Sequence, residues 1–246
     1  MDRLIYTAGS GAKHILEQQA TTSHNLANVS TTGFRAQVDA FRAVQVEGGT
    51  LPTRAFVVNA TSGTDFSSGA LQATGRDLDV AIRGKGFIAL TMADGSEAYT
   101  RSGALNMNEN GLLTGIGGNA VAGDGGPISV PPDVTVAIGG DGTISTIEKG
   151  TKPGTPTVLG RLKLVNPAEA DLVRGDDGLF RLKDGKPAEV DPNVSVAGAM
   201  LEGSNVNPID SMVSMISLAR SFEMQMSMMK NAENNAAKAT QILALS

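Results

Sequence analysis

Apolar residues recur every three or four positions at both ends of the chain, and this helical period disappears between them. The N-terminal series has eight positions, six of them apolar: Ile5, Ala8, Ala12, Ile15, Gln19, Thr22, Leu26 and Val29. The C-terminal series contains Met212, Met215, Ala219, Phe222, Met226 and Met229, and is widened by Val213 and Ile216. This spacing is typical of helices that pack along a seam on another helix. We therefore predict two terminal helices that pair, within one chain or between chains.

The middle of the chain is marked by turn dipeptides instead. Asp-Gly or Asn-Gly pairs begin at positions 94, 110, 124, 141, 177 and 184. These pairs are strong hairpin signals because glycine accepts positive φ. The short β-type runs between them include 79–82, 87–90, 134–138 and 158–165. The fold class predicted is α+β and mainly β: a coiled-coil-like pair of terminal helices and a central all-β domain of sandwich or barrel type.

This pattern divides the chain into four segments. We predict an N-terminal helix within 1–35, an extended linker over 36–78, a central β-rich domain over 79–200 and a C-terminal helix within 201–246. A surface loop is expected at 150–156.

Charge and composition argue against several classes of function. The net charge is −5 without any basic block, so neither nucleic acid nor an anionic membrane is an expected partner. The absence of cysteine removes disulfides, thiol chemistry and cysteine-based metal sites. No apolar run is long enough for a transmembrane helix or a secretory signal peptide, so neither direct membrane insertion nor signal cleavage is expected.

Candidate catalytic groups are few. His14 and His24 would lie about 15 Å apart along one helix and could not share a metal or a substrate. The acidic pairs Asp77 with Asp79 and Asp176 with Asp177 could serve glycoside hydrolysis or calcium binding, but 176–178 is also an ordinary turn. The run 84–86, Gly-Lys-Gly, lacks the third glycine and the helix that phosphate binding requires. We expect no catalytic residue, no metal and no cofactor.

Two hypotheses of different class remain. The C-terminal helix has little charge, which suggests that it is covered on more than one side, as in the inner wall of a polymer. The alternative is a secreted β-domain binding protein or enzyme with a helical stalk. The lack of Trp and of a histidine base argues against the alternative.

Several motifs resemble those of the bacterial flagellar rod and hook proteins. Residues 23–35, Ser-His-Asn-Leu-Ala-Asn-Val-Ser-Thr-Thr-Gly-Phe-Arg, are similar to the N-terminal signature of that family. Further similar runs, in the family's order, are 74–82, 84–87, 99–103, 201–207 and 220–223. The stretches 46–54, 175–178 and 222–226 are similar to the proximal-rod member of the family.

The resemblance implies a structural subunit of the proximal rod, a tube that transmits torque and encloses the export channel. Its terminal helices would form the inner tube and its β domain the outer layer. The implied partners are itself, other rod proteins, notably the distal rod protein, and the flagellar type III export apparatus. The implied location is the periplasmic part of the basal body, reached without a cleaved signal peptide. A distal-rod or hook subunit is the alternative within the family.

The resemblance also suggests which residues serve assembly. The amides of Asn25 and Asn28 lie on one helix face, Gly33 permits an exit turn, and Phe34 anchors that turn in an apolar pocket. Asn205 and Asn207 are expected to cap and orient the C-terminal helix. The alternative for each is ordinary capping or turn formation within one chain. The full set of expected assembly residues is Asn25, Leu26, Asn28, Gly33, Phe34, Asn205, Asn207, Met212, Ile216, Phe222 and Met226.

Overall fold

The structure, a computed structural model, describes residues 2–45, 55–148 and 156–244. Two compact units are present. Unit 1 comprises Met1–Val29, Ala36–Asp65 and Val206–Ser246, and unit 2 comprises Ser30–Arg35 and Phe66–Asn205. The stretch 46–54 and most of the predicted loop at 150–156 lie outside the described residues.

Unit 1 is built from two helices and a strand pair. Its elements are α1 (Asp2–Ala27), β1 (Gln37–Gln45), β2 (Ala55–Thr64) and α2 (Pro208–Ala244). The helices pack against each other and run antiparallel: Gly11 of α1 lies beside Gln225, whereas Thr21 shares a groove with Leu218. The prediction that the terminal helices pair is confirmed.

The seam between the helices differs in register from the apolar series of the sequence. The residues of α2 with reduced exposure include Met215, Leu218, Phe222, Gln225, Met229, Ala232 and Ala236. The seam of the structure therefore uses Leu218 and Gln225, which lie one residue before the Ala219 and Met226 of the apolar series. Gly11 explains this choice, because a Cβ at that position would lie 3.3 Å from the Gln225 side chain. The missing side chain at Gly11 leaves room for the polar side chain of Gln225, which the apolar periodicity of α2 does not predict.

The segment 36–78, expected as an extended linker, contains strands. β1 and β2 pair antiparallel with a bulge between Ala40 and Phe41. This segment is rich in Gly, Ser, Thr and Ala, a composition typical of linkers, but strand pairing satisfies backbone groups whatever the side chains are. The boundaries of the four predicted segments stay a prediction.

Unit 2 is almost entirely β. Its strands are β3 (Leu71–Ala73), β4 (Val80–Arg83), β5 (Phe87–Thr91), β6 (Glu97–Thr100), β7 (Asn106–Met107), β8 (Leu113–Thr114), β9 (Ala120–Gly123), β10 (Gly126–Pro127), β11 (Val134–Ile138), β12 (Thr143–Glu148), β13 (Thr157–Arg161), β14 (Leu164–Val165), β15 (Leu172–Arg174), β16 (Phe180–Leu182), β17 (Ser195–Gly198) and β18 (Met200–Glu202). Two short 3-10 turns lie at Ile116–Gly118 and Glu169–Asp171.

The strands of unit 2 form antiparallel sheets. The largest has the order β15-β16-β6-β5-β9-β8-β7, with β10 added beside β9 and β14 beside β5. A three-stranded sheet has the order β11-β12-β13, and two further pairs join β17 to β4 and β18 to β3. The predicted mainly-β α+β class is confirmed. The hairpin signals are real turns: in all but the one at 124, the predicted glycine has positive φ.

Two hydrophobic clusters hold unit 2 together. The larger includes Ile82, Leu90, Leu105, Ile144 and Leu164, all at most 1% exposed. The smaller is aromatic, with Phe87, Tyr99 and Phe180 in its centre. Fully burying such side chains contributes about 1.5–3 kcal/mol each. Unit 2 therefore has a core of its own.

Candidate assembly site

An apolar patch covers one face of the first two turns of α2. Ile209 is 70% exposed, Met212 53%, Val213 61% and Ile216 56%. At 100° per residue these four side chains lie within an arc of about 100°, with Val213 at the edge where it also lines the groove shared with Thr21 of α1. Monomeric proteins rarely expose contiguous apolar patches without a use for them. Two of the expected assembly residues, Met212 and Ile216, thus share a free helix face.

The other expected residues of α2 are placed differently. Phe222 is half-buried among the seam residues, whereas Met226 is 47% exposed. Met226 lines a shallow groove together with Ile5 and Met229. Phe222 is therefore part of the helix pairing within the chain, and Leu26 of α1 is likewise half-buried.

Asn25 fastens strand β1 to helix α1. Its side-chain Nδ2 donates to the Gln37 carbonyl at 2.8 Å, and its Oδ1 accepts from the Gln37 backbone N–H, also at 2.8 Å. One side-chain amide thus satisfies both backbone groups of a strand residue. A hydrocarbon side chain could replace neither bond.

Two further asparagines finish helix ends in unit 1. The Asn28 side chain donates to the His24 carbonyl at 2.9 Å, and the Asn28 backbone N–H donates to the same carbonyl at 3.3 Å, so Asn28 closes the last turn of α1 with two hydrogen bonds. Asn207 precedes α2, and its Oδ1 accepts from the Ile209 backbone N–H at 3.0 Å. With Pro208 at the first helical position, Asn207 is an N-cap.

Asn205 has another set of partners, in unit 2. Its side-chain amide donates to the Ser67 carbonyl at 3.1 Å, and its backbone N–H donates to the Phe34 carbonyl at 3.4 Å. Phe34 is 5% exposed, and the Arg174 guanidinium lies 4.5 Å from the centre of its ring. The predicted anchor therefore contacts a cation as well as apolar atoms.

Gly33 is required by its position in unit 2. Its φ is +68°, and a Cβ there would lie 2.3 Å from the Ser102 nitrogen. Its N–H donates to the Glu202 carbonyl at 2.8 Å. The Gly33 backbone thus lies directly against two of the other runs that resemble the rod and hook proteins, 99–103 and 201–207.

A buried charge cluster joins these motifs. Arg35 Nη2 donates to Glu202 Oε1 at 2.8 Å, and Arg101 Nε donates to Glu202 Oε2 at 2.8 Å. Glu202 Oε1 also accepts from the Gly69 N–H at 2.9 Å. All three charged side chains are at most 3% exposed. Sequence reasoning missed this cluster, although each of its charges lies within a quoted motif; charged residues in otherwise apolar or glycine-rich motifs were the available signal.

The same Arg101 fixes the turn at 84–86. Its Nη1 donates to the carbonyls of Gly84 and Gly86, both at 2.8 Å. Burial lowers the pKa of Arg101 below its usual value, against the opposing effect of Glu202. The backbone of the Gly-Lys-Gly run therefore binds the side chain of Arg101 of the same chain.

The groups considered for catalysis have local structural partners. His14 Nδ1 lies 3.1 Å from Glu17 Oε2, and its ring packs edge-on against Phe41. Asp177 pairs with Arg181, and this hydrogen bond lowers the pKa of its carboxyl group. Asp79 is buried and pairs with Arg76 at 3.3 Å. Among the described residues, no group of three His, Asp or Glu side chains could hold a metal ion.

Comparison with known families agrees with these motifs. Residues 5–35 match the family described as flagella basal body rod protein, and residues 81–146 match the flagellar hook protein FlgE/F/G D1 domain. Residues 193–242 match the flagellar basal body rod FlgEFG protein C-terminal family. The chain belongs to the FlgE/FlgF/FlgG family of flagellar rod and hook proteins, as the sequence motifs indicated.

Individual relatives cover the whole chain. It is 46% identical to the flagellar basal-body rod protein FlgF of Escherichia coli K12 and to that of Salmonella typhimurium LT2, over all of both chains in each case. It is 30% identical to the FlgG rod protein of Bacillus subtilis 168, over 91% of this chain and 92% of the relative. Neither α1 nor α2, over the part that the structure describes, is apolar enough over a sufficient length to span a bilayer.

Proposed function

We propose that this protein is a structural, non-catalytic subunit of the flagellar basal-body rod that polymerises through its terminal helices. The observation that carries the proposal is the poor core of unit 1. Among its described side chains, the fully buried hydrophobic ones are Ala8, Ala12, Val206 and Ala232. The larger apolar residues of the seam, such as Met215, Phe222 and Met229, are only partly buried, so the two helices leave much of the available apolar burial unused.

Exposed apolar side chains of α2 would add to the burial of apolar surface once a neighbouring subunit covers them. Burying the exposed half of each patch residue, Ile209, Met212, Val213 and Ile216, against a neighbour is worth on the order of 1 kcal/mol per side chain. A polymer repeats this gain at every subunit. The expected assembly roles of Met212, Ile216 and Met226 rest on this exposure, while those of Asn25, Asn28, Gly33, Phe34, Asn205 and Asn207 rest on placing the helices and the turn between them.

The neighbours follow from the family. We propose other copies of this chain and other rod proteins, notably the distal rod protein, as partners in the rod. The flagellar type III export apparatus is the proposed route to a periplasmic position. A proximal position in the rod is supported by the higher identity to relatives named FlgF than to those named FlgG.

A matched pair of substitutions tests the proposal. Val213, in the patch of α2, is 61% exposed, and Val158, in the central sheet β11-β12-β13, is 64% exposed. Val213→Asp places a carboxylate in a contact that assembly must desolvate, which costs several kcal/mol. Val158→Asp makes the same chemical change on unit 2.

We expect cells with Val213→Asp to build no rod beyond this subunit and not to swim, and cells with Val158→Asp to swim. Electron microscopy of basal bodies and motility assays measure both. Both purified proteins should melt within about 2 °C of wild type, since exposed substitutions rarely change stability by more than about 0.5 kcal/mol. Normal rods with Val213→Asp would show that the patch faces solvent in the rod.

A further inference from the structure

Unit 2 contains a small cavity beside the buried charge cluster, lined by both polar and apolar residues. Its volume is about 20 Å³, and the side chains of Arg35, Arg101, Phe66, Lys85 and Glu169 line it. A cavity of this size holds one particle the size of a water molecule. Its volume therefore favours a monatomic ion or a single water molecule over a larger group.

Positive charge exceeds negative charge around this cavity. Arg35 and Arg101 are both charged, because a guanidinium does not lose its proton in proteins, and Glu202 supplies one negative charge to the two of them. Lys85 and Glu169 pair with each other at 2.9 Å and cancel. Among the described residues, one positive charge of this almost fully buried cluster is left without a counter-charge.

Two guanidinium nitrogens of the cluster, Arg35 Nη1 and Arg101 Nη2, are buried and have no hydrogen-bond partner among the described residues. Arg101 Nη2 lies 2.7 Å from Glu202 Oε2, so Arg35 Nη1 is the donor that has no acceptor close to it. Glu202 does not serve it, because Oε1 already accepts from Arg35 Nη2 and from Gly69, and Oε2 lies within 2.8 Å of two nitrogens of Arg101. Buried donors are almost always satisfied, and a buried charge without compensation is strongly destabilising.

We infer that this cavity binds one small monovalent anion of the halide class, which accepts a hydrogen bond from Arg35 Nη1 and neutralises the excess charge of the cluster. A water molecule would satisfy the donor but not the charge. Phosphate, sulfate and carboxylate compounds are too large for 20 Å³. The ion is therefore a structural ligand of the junction between residues 30–35, 84–86, 99–103 and 201–203.

Bromide is the probe, since it replaces chloride and scatters X-rays anomalously. We expect crystals of the full chain soaked in sodium bromide to show an anomalous peak in this cavity, at hydrogen-bond distance from Arg35 Nη1. Density for a water without an anomalous signal would overturn the inference.

Melting of the full chain gives a second measurement. Sodium bromide and sodium gluconate are compared at equal ionic strength, because gluconate is monovalent but too large to enter. Arg35→Met removes both the free donor and the excess charge, while Arg83→Met makes the same chemical change at an exposed position.

We expect bromide to raise the melting temperature of wild type and of Arg83→Met by at least about 2 °C relative to its effect on Arg35→Met. Using Arg35→Met as the reference removes the general effects of the two salts on burial. An equal response of all three proteins would overturn the inference. If Arg35→Met does not fold, the bromide map of the wild-type protein decides alone.

Discussion

At the scale of single residues, Glu202 is the centre of the buried charge cluster. It is fully buried and holds two buried guanidinium groups. Glu202→Gln keeps the shape but leaves both cations without a counter-charge, so we expect the free energy of unfolding to fall by about 3–5 kcal/mol. Denaturant unfolding of the purified protein measures this.

Glu169→Gln is the matched control for that change. Glu169 pairs with Lys85 at the surface, where its side chain is 47% exposed, and its loss should change stability by less than about 1 kcal/mol. Similar losses for the two variants would mean that the buried cluster contributes no more than a surface ion pair.

Two glycines with nearly the same backbone conformation allow the cost of a left-handed φ to be distinguished from the cost of a close contact. Gly33 and Gly75 have nearly the same φ, +68° and +72°, but a Cβ at Gly75 would meet nothing within 4 Å. Gly75→Ala should therefore cost only the left-handed strain, roughly 1–2 kcal/mol. Gly33→Ala should destabilise by at least about 1 kcal/mol more, because the Ser102 backbone must move. Equal changes in unfolding free energy would contradict the close contact.

Tyr99 makes unit 2 sensitive to alkaline pH. Burial raises the pKa of its hydroxyl to about 12, from 10 in the unfolded chain. A raised pKa contributes stability that is complete below pH 10 and is lost as the pH rises from 10 toward 12. The melting temperature of wild type should fall more steeply over this window than that of Tyr99→Phe, which has no hydroxyl to ionise.

Tyr99→Phe has its own effect at neutral pH. The hydroxyl accepts from the Ala188 N–H at 2.7 Å and lies 3.2 Å from Glu97 Oε2, so its loss should destabilise by about 1 kcal/mol. Parallel pH profiles of the two proteins between pH 9 and 11.5 would show that folding does not raise the pKa of Tyr99 above its value in the unfolded chain.

At the scale of secondary-structure elements, the sequence predicted the type of each region better than its contacts. The period of three and four residues identified α1 and α2, and the turn dipeptides identified the β hairpins, because both signals are local. The seam register was missed because Gln225 is polar and its place opposite Gly11 depends on the partner helix. Strands β1 and β2 were missed because their composition is that of a linker.

In the candidate site, too, the sequence predicted local contacts better than contacts between distant residues. Asn207 could be identified as a cap from its neighbour Pro208, since a cap needs only adjacent residues. The double bond of Asn25 to Gln37 and the cluster of Arg35, Arg101 and Glu202 join residues far apart in the chain. No spacing rule in a single sequence connects such positions.

The position of Phe222 also affects how a substitution of this residue is interpreted. Since it is half-buried in the seam of its own chain, Phe222→Asp would disturb the helix pair before any assembly. Substitutions in the exposed patch, as proposed for Val213, separate the two effects.

At the scale of the whole molecule, the two units differ in how much of their stability is internal. Unit 2 has two hydrophobic clusters, while the fully buried apolar side chains described in unit 1 are three alanines and a valine. In a dilute solution of the full chain, we expect the amides of α1 and α2 to exchange with solvent much faster than those of β5 and β6. Hydrogen exchange read by mass spectrometry measures this.

Assembled rods provide the comparison for that experiment. If neighbours complete unit 1, the helix amides should become as protected as the sheet amides once the protein is in the rod. Helices that exchange as slowly as the sheet in the dilute protein would indicate that one chain stabilises unit 1 without neighbours.

The charge cluster has a consequence for the order in which the protein folds. Glu202 pairs with residues 167 and 101 positions before it in the chain. A chain that emerges from a narrow channel with its N-terminus first has Arg35 and Arg101 in place long before their counter-charge arrives. Until residues 200–202 emerge, β3 also lacks the strand with which it pairs. On the proposed export route, residues 200–202 would therefore be the last part needed to close a unit that begins at residue 30, so that the unit closes only after most of the chain has left the channel.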